Sequence, residues 1–179
     1  ARIFSLKGLL LGLHESAVES DPITQFKIWY GNAKRTGVPL PDSFTLATVT
    51  PDGKPDARML LLKGVDEKGF VFYTNYESRK GAEIAKNPFG TMVFHWNQLF
   101  RQVRIEGRLE KVTTQESEAY FHSRLRGSQI GAWASLQSST LANREEFEKK
   151  VAEYEAKFKG QTVPLPTFWG GFRLIPERI

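Results

Sequence analysis

Arg101-Gln-Val-Arg-Ile-Glu-Gly107 reads as the central strand of a β-barrel. Val103, Ile105 and, further on, Leu109 alternate with Gln102, Arg104, Glu106 and Arg108. A period of two gives one dry face and one polar face. Arg104, Glu106 and Arg108 then suit ion pairing on the barrel surface or at an interface. Working outward, Gly90–Trp96 and Gln102–Val112 form a strand pair, and Phe70–Asn75 is a further strand. Phe44–Thr50 and Ala57–Lys63 are strands joined by Pro51-Asp-Gly-Lys-Pro55, where the Asp-Gly pair marks a hairpin. Val65-Asp-Glu-Lys-Gly69 reads as a turn and Gly170–Ile175 as a last strand. Five or six strands at this spacing predict a closed or partly closed antiparallel barrel.

The helices lie around this barrel. Asp21 at an N-cap and Pro22 at the first helical position open a helix to about Lys34, with Phe26, Trp29, Tyr30 and Ala33 on its core-facing side. Ser78 caps a short helix that Asn87-Pro88 stops. Thr113-Thr-Gln-Glu116 is a capping box opening a helix through about Arg124. Gly127 breaks it, and Ser128–Ser135 forms another short helical turn. Asn143 opens a third helix, in which Phe147, Val151, Tyr154 and Phe158 make a seam for core or subunit packing. The expected organisation is one domain over residues 1–179, with an N-terminal arm (1–20) and a helical segment (113–160) packed on the barrel. The fold class is mainly β with peripheral helices (α+β).

The chain's 179 residues can bury a full core, and 40% hydrophobic with 25% charged residues is a globular composition. Its apolar runs are too short to span a bilayer. Lys7, His14 and Glu15 interrupt any signal-peptide core, so a cytoplasmic protein is expected. The absence of cysteine excludes disulfides, thiolate metal sites and thiol catalysis. The net charge of +5 suits anionic partners. Because the cations are interleaved with acids, phosphorylated small molecules are favoured over nucleic acid.

No dinucleotide-binding GxGxxG, P-loop or metal-ligand histidine spacing is present, and His122 reads as a helix-surface residue. The chemistry therefore falls to a bound organic cofactor that the protein anchors. Arg58-Met-Leu-Leu-Leu-Lys63 carries a cation at each end, roughly 16 Å apart and on opposite faces of a regular strand. The two either snorkel at the strand ends or serve two different anions. Ser78-Arg79-Lys80 at a helix N-terminus is either a phosphate seat or an ordinary capped helix. Tyr120 and Arg124 share a helix face, which Ser128 extends if the helix continues. They make a cup for a second phosphate or a plain helix-end pair. Gln137-Ser138-Ser139 either donates to phosphate or caps the next element.

Together these segments resemble the pyridoxine (pyridoxamine) 5′-phosphate oxidases. The resemblance rests on Arg58–Lys63, Phe72-Tyr-Thr-Asn75, Glu77-Ser-Arg-Lys-Gly81, Arg101–Gly107, Tyr120-Phe-His-Ser-Arg124, Gly127-Ser-Gln-Ile-Gly-Ala-Trp133, Gln137-Ser-Ser139 and Trp169-Gly-Gly171, in family order over residues 21–175. It implies a split antiparallel β-barrel and a homodimer with FMN at the subunit interface. It also implies oxidation of pyridoxine or pyridoxamine 5′-phosphate to the aldehyde, with hydride passing to flavin N5 and O2 reduced to hydrogen peroxide. By the same resemblance Arg58, Met59, Leu60, Leu61, Leu62, Lys63, Tyr73, Thr74, Arg79, Lys80, Gln102, Gln137 and Ser138 are FMN-binding residues, with Gln102 at the flavin ring. Lys63, Tyr120, Arg124 and Ser128 are implied to hold the substrate phosphate. No residue is singled out as catalytic, and no metal or membrane partner is implied.

The family pattern continues into Glu-Phe-Trp-Gln-Gly and Arg-Leu-His-Asp-Arg segments that contribute to both ligands. The sequence stops at Ile179 before either, so a truncated chain or an incomplete site is expected, the latter favouring a non-catalytic or impaired FMN- or pyridoxal-phosphate-binding protein. Phe4 stands where Tyr is common, which argues against a substrate lid over residues 1–8, and Leu125 stands where Pro is usual.

Overall fold

The computed structural model describes residues 14–179, so residues 1–8, where the sequence argues against a lid, and most of the arm lie outside the described residues. Seven strands form one antiparallel sheet: β1 Ser43–Val49, β2 Pro55–Leu61, β3 Gly64–Asp66, β4 Gly69–Asn75, β5 Phe89–Trp96, β6 Arg101–Lys111 and β7 Trp169–Arg178. Their order is β2-β1-β5-β6-β7-β4-β3, which puts β6 in the middle. Its alternation is as the sequence dictates: Val103, Ile105 and Leu109 are buried while Gln102, Arg104 and Arg108 are exposed. Arg104 pairs with Glu106 at 2.8 Å and Arg108 with Glu110 at 3.4 Å on the polar face.

Strands β2 and β3 are neighbours in the chain yet occupy opposite edges of the sheet. The crossing takes two residues. Leu62 N–H donates to Asp42 O at 2.8 Å on the β1 side, and Lys63 N–H donates to Val71 O at 2.8 Å on β4. The sheet therefore curls into a split barrel that the chain itself bridges. A register shift between Glu106 and Gly107 on β6 adds local twist.

Two sequence expectations about strands are corrected. There are seven strands among the described residues rather than five or six. The segment 65–69 is not all turn: Val65 and Asp66 pair with Phe70 and Gly69, leaving Glu67-Lys68 as the loop. The Asp66 carboxylate accepts the N–H groups of Lys68 (2.9 Å) and Gly69 (3.2 Å), which tightens the turn into a hairpin.

Helix α1 is Pro22–Arg35, with the Asp21 carboxylate accepting from the N–H groups of Ile23 and Thr24. Its Phe26 plugs the barrel, 1% exposed, with ring centroids 4.9 Å from those of Phe70 and Phe94. Helices α2 (Arg79–Lys86), α3 (Thr114–Ser123), α4 (Arg126–Ala134) and α5 (Arg144–Lys157) follow. Ser78, Thr113 and Asn143 cap α2, α3 and α5 through their side chains. Gly127 does not break a helix; it lies in the first turn of α4. The break is at Arg124, whose backbone is extended (φ −77°, ψ 151°). Phe121, Ile130, Phe158, Val163 and Trp169 form a second apolar cluster, against which Val151 and Tyr154 of the α5 seam pack.

Candidate active site

A cleft of about 600 Å³ opens between the end of β2, β4 and the α3–α4 junction. One wall is aromatic. Tyr73 and Tyr120 stack at 3.9 Å between centroids and 15° between planes, and Trp169 lies 5.6 Å from Tyr73 at 12°. Gly171 stands opposite Tyr73 in the β4–β7 register, and a Cβ there would press into the Tyr73 ring. The Trp-Gly-Gly segment thus leaves room for the ring to lie flat. Burial raises the Tyr73 phenol above its ordinary pKa, with the Glu116 charge adding to the effect.

Lys63, Tyr120, Arg124 and Ser128 line the same cleft. On sequence, Ser128 joins the Tyr120–Arg124 stripe only if the helix continues past Gly127. The structure instead ends α3, turns the chain at Arg124–Leu125 and presents Ser128 from the first turn of α4. Lys63 reaches the cleft because the chain changes edges there, and its ammonium lies 3.1 Å from the Asp42 carboxylate. The Arg124 guanidinium lies 4.6 Å from the Trp169 ring centroid. Its Nη1 is buried with no hydrogen-bond partner among the described residues. An unpartnered buried guanidinium N–H is costly, so the cleft is short of an acceptor at this point. Burial also lowers the Arg124 pKa.

A second cationic node backs the first. Lys80 in the first turn of α2 is 6% exposed. Its ammonium donates to Thr74 Oγ1 (3.3 Å), Ser78 Oγ (3.1 Å) and Gln137 Oε1 (3.0 Å). Burial pushes its pKa down to about 8, and the nearby Arg58 charge pushes the same way. Thr74 also donates to Gln137 Oε1 at 3.0 Å. Arg58 donates to Asp56 (2.7 Å) and Glu83 (2.9 Å), and Arg79 pairs with the same two carboxylates at 2.9 and 3.1 Å.

Of the residues expected to bind cofactor, Met59, Leu60, Leu61, Lys63, Tyr73, Thr74 and Gln137 line the cleft. Arg58, Leu62, Arg79, Lys80, Gln102 and Ser138 do not. Lys80 touches it through Thr74 and Gln137, and Arg58 and Arg79 are engaged by Asp56 and Glu83. Leu62 is a core residue, 3% exposed. Ser138 adopts a left-handed conformation (φ 73°) in the turn closed by Ser139 N–H to Leu136 O at 3.0 Å. Gln102 stands on the polar face of β6 opposite His95. His122 is exposed, with Nε2 3.2 Å from Val163 O. Sequence reasoning missed Asn75, Gly131, Ala132, Ser135 and Trp169 in the lining, and Thr48, Asp56 and Glu83 around the arginines. Asn75, Gly131, Ala132 and Trp169 lie inside the quoted motifs, whereas no local pattern marks Thr48, Asp56 or Glu83 as partners of the arginines. Among the described residues no three His, Asp or Glu side chains are grouped to hold a metal ion, and no helix is long and apolar enough to cross a membrane.

A flat aromatic wall, a mixed rim and two separate cationic groups suit planar ligands that carry phosphate. The pyridoxamine 5′-phosphate oxidase family model matches residues 32–158. The pyridoxine/pyridoxamine 5′-phosphate oxidase of Psychromonas ingrahamii is 52% identical over 173 residues, covering 97% of this chain and 80% of the relative. That of Rubrobacter xylanophilus is 54% identical over 168 residues, covering 94% and 77%. Among solved structures, PhzG from Burkholderia lata, in complex with tetrahydrophenazine-1-carboxylic acid, superposes with a TM-score of 0.85 at 30% identity, covering 92% of this chain and 81% of that one. A pyridoxamine 5′-phosphate oxidase-related, FMN binding protein from Nostoc punctiforme shares the fold with a TM-score of 0.68 at 17% identity, covering 89% and 83%.

Proposed function

Because this chain belongs to the pyridoxamine 5′-phosphate oxidase family, we propose that it binds FMN and oxidises pyridoxamine or pyridoxine 5′-phosphate to pyridoxal 5′-phosphate. The observation that carries the reading is Arg124. A buried guanidinium nitrogen without an acceptor, in a cleft that also holds Lys63, Tyr120 and Ser128, fits a phosphate oxygen. The guanidinium lies over the Trp169 ring, 4.6 Å from its centroid, and that contact helps hold it in the cleft.

The second node fits the cofactor phosphate. Arg58, Arg79 and Lys80 supply charge there, and Ser78 at the N-cap of α2 sets the orientation of that helix end. Thr74 and Gln137 connect the two nodes, and Tyr73, Met59, Leu60 and Leu61 offer apolar surface to a flat ring between them. FMN, held there, would supply the hydride acceptor, with O2 as the terminal oxidant and hydrogen peroxide as its product. The chain's own part is to bind, orient and shield: the aromatic wall excludes water on one side, and the two anion sites fix the distance between the partners. Gln102 does not line the cleft of its own chain, and in this reading it reaches the flavin from a second copy in a homodimer.

The test is to purify the protein, record its visible spectrum with added FMN, and measure peroxide release with pyridoxamine 5′-phosphate. FMN binding with peroxide release supports the oxidase. FMN binding without release leaves a binding protein on the same barrel. No FMN binding removes the reading altogether.

A further inference from the structure

Asp56 and Glu83 do not line the cleft and, as neighbours, hold the same two arginines. Glu83, in the second turn of α2, is 2% exposed. Its Oε2 accepts from Thr48 Oγ1 (2.5 Å) and Arg58 Nη2 (2.9 Å), and its Oε1 accepts from Arg79 Nε (3.1 Å). Asp56 sits directly opposite Thr48 in the β1–β2 register. Its side chain is 23% exposed, and one oxygen, Oδ2, receives both Arg58 Nη2 (2.7 Å) and Arg79 Nε (2.9 Å). The same two guanidinium nitrogens are therefore shared by a buried and a reachable carboxylate.

We infer that these carboxylates have opposite roles toward a phosphate ligand: Glu83 is a positioning residue that presets Arg58 and Arg79, and Asp56 is an internal stand-in anion that the phosphate displaces. The inference rests on the reading of Arg58, Arg79 and Lys80 as the cofactor-phosphate cations. A buried carboxylate stays charged only while its cations stay, so Glu83 fixes where Arg58 and Arg79 can be. Charge supports the rest. Three cations (Arg58, Arg79, Lys80) face two carboxylates, a surplus of one. With Asp56 released the surplus is two, which matches a phosphate monoester near neutral pH, about −1.5 to −2. Asp56 is the carboxylate that can leave, because its side chain is partly open to solvent while that of Glu83 is 2% exposed.

The experiment measures FMN and riboflavin affinities of flavin-stripped protein by fluorescence quenching. Riboflavin lacks the phosphate, so it reports damage to the ring site alone. Glu83→Gln is expected to weaken FMN about tenfold, the loss of one charge-assisted contact, and to leave riboflavin unchanged. Asp56→Asn is expected to tighten FMN about two- to fivefold, a surface-pair magnitude, again without effect on riboflavin. Thr48→Val removes the hydroxyl that donates to Glu83 and accepts from Arg58 Nη1, so it loosens the preset arginine by a second route and is expected to weaken FMN alone, which keeps the test decisive if Glu83→Gln does not fold. The inference is overturned if FMN and riboflavin shift together, or if Asp56→Asn weakens FMN. Wild-type protein that takes up neither flavin overturns the function reading itself, whereas wild-type binding with unchanged variants overturns only the division of roles.

Discussion

The Lys80 ammonium donates to the side-chain carbonyl of Gln137 at 3.0 Å, tying the first turn of α2 to the loop after α4 across 57 residues of sequence. The same carbonyl accepts from Thr74 on β4. One oxygen thus joins the sheet, the cationic helix end and the cleft.

Lys80 sets a pH dependence. Its pKa of about 8 lies below the ordinary 10.5 because the ammonium is buried beside Arg58. The charged form that attracts phosphate is present below about pH 8 and is lost above it. FMN affinity of the stripped protein is expected to fall as pH rises through this value. Stability moves the other way. Between about 8 and 10.5 the unfolded chain binds more protons at this site than the folded one, so the ligand-free fold gains stability as pH rises across that window. Titrations of FMN affinity and thermal melts over pH 7–10 measure both, and Lys80→Met is expected to flatten both.

Arg124→Met separates binding from stability. Losing a charge-assisted grip on phosphate is expected to raise KM for pyridoxamine 5′-phosphate about 10- to 100-fold. Stability is expected to change by less than about 1 kcal/mol, because the lost stacking on Trp169 is offset by removal of a buried donor with no partner. Peroxide-release kinetics and a thermal melt of the same preparation check the two halves.

Gly81→Ala tests how α2 is seated. A Cβ at this position would overlap the backbone carbonyl of Tyr76, which cannot swing away as a side chain tip would. Overpacking against backbone is expected to cost about 2 kcal/mol or more and to weaken FMN binding, since Ser78, Arg79 and Lys80 move with the helix end. Urea unfolding and flavin titration measure the pair.

Phe26→Ala tests the plug between α1 and the barrel. The ring is 1% exposed and packs on Phe70, Phe94 and Trp96. Truncation is expected to destabilise the fold by about 3–5 kcal/mol. A loss well under 1 kcal/mol in urea unfolding would mean that α1 does not depend on this contact.

The sequence by itself determined whatever is decided within a few residues. Asp21, Ser78, Thr113 and Asn143 cap helices as their spacing requires, since a cap is a bond to an N–H two or three positions away. The dry face of β6 was readable because alternate residues of a strand point the same way. The motifs around Arg58, Tyr73, Arg79 and Arg124 were enough to mark the family. Only the tertiary structure decided how these pieces meet. Arg124 and Ser128 share a cleft through a break in the helix, not through its continuation. Leu62 and Lys63 carry the chain from one sheet edge to the other, a change of hydrogen-bond partner that no local pattern announces. Glu83 meets Arg58 across 25 residues only because β1 pairs with β2 in one register and α2 docks on β1. Local signals come from bonds within a turn or a strand, whereas charges from distant segments are brought together by burial of the apolar faces between them, and that burial exists only in the folded chain.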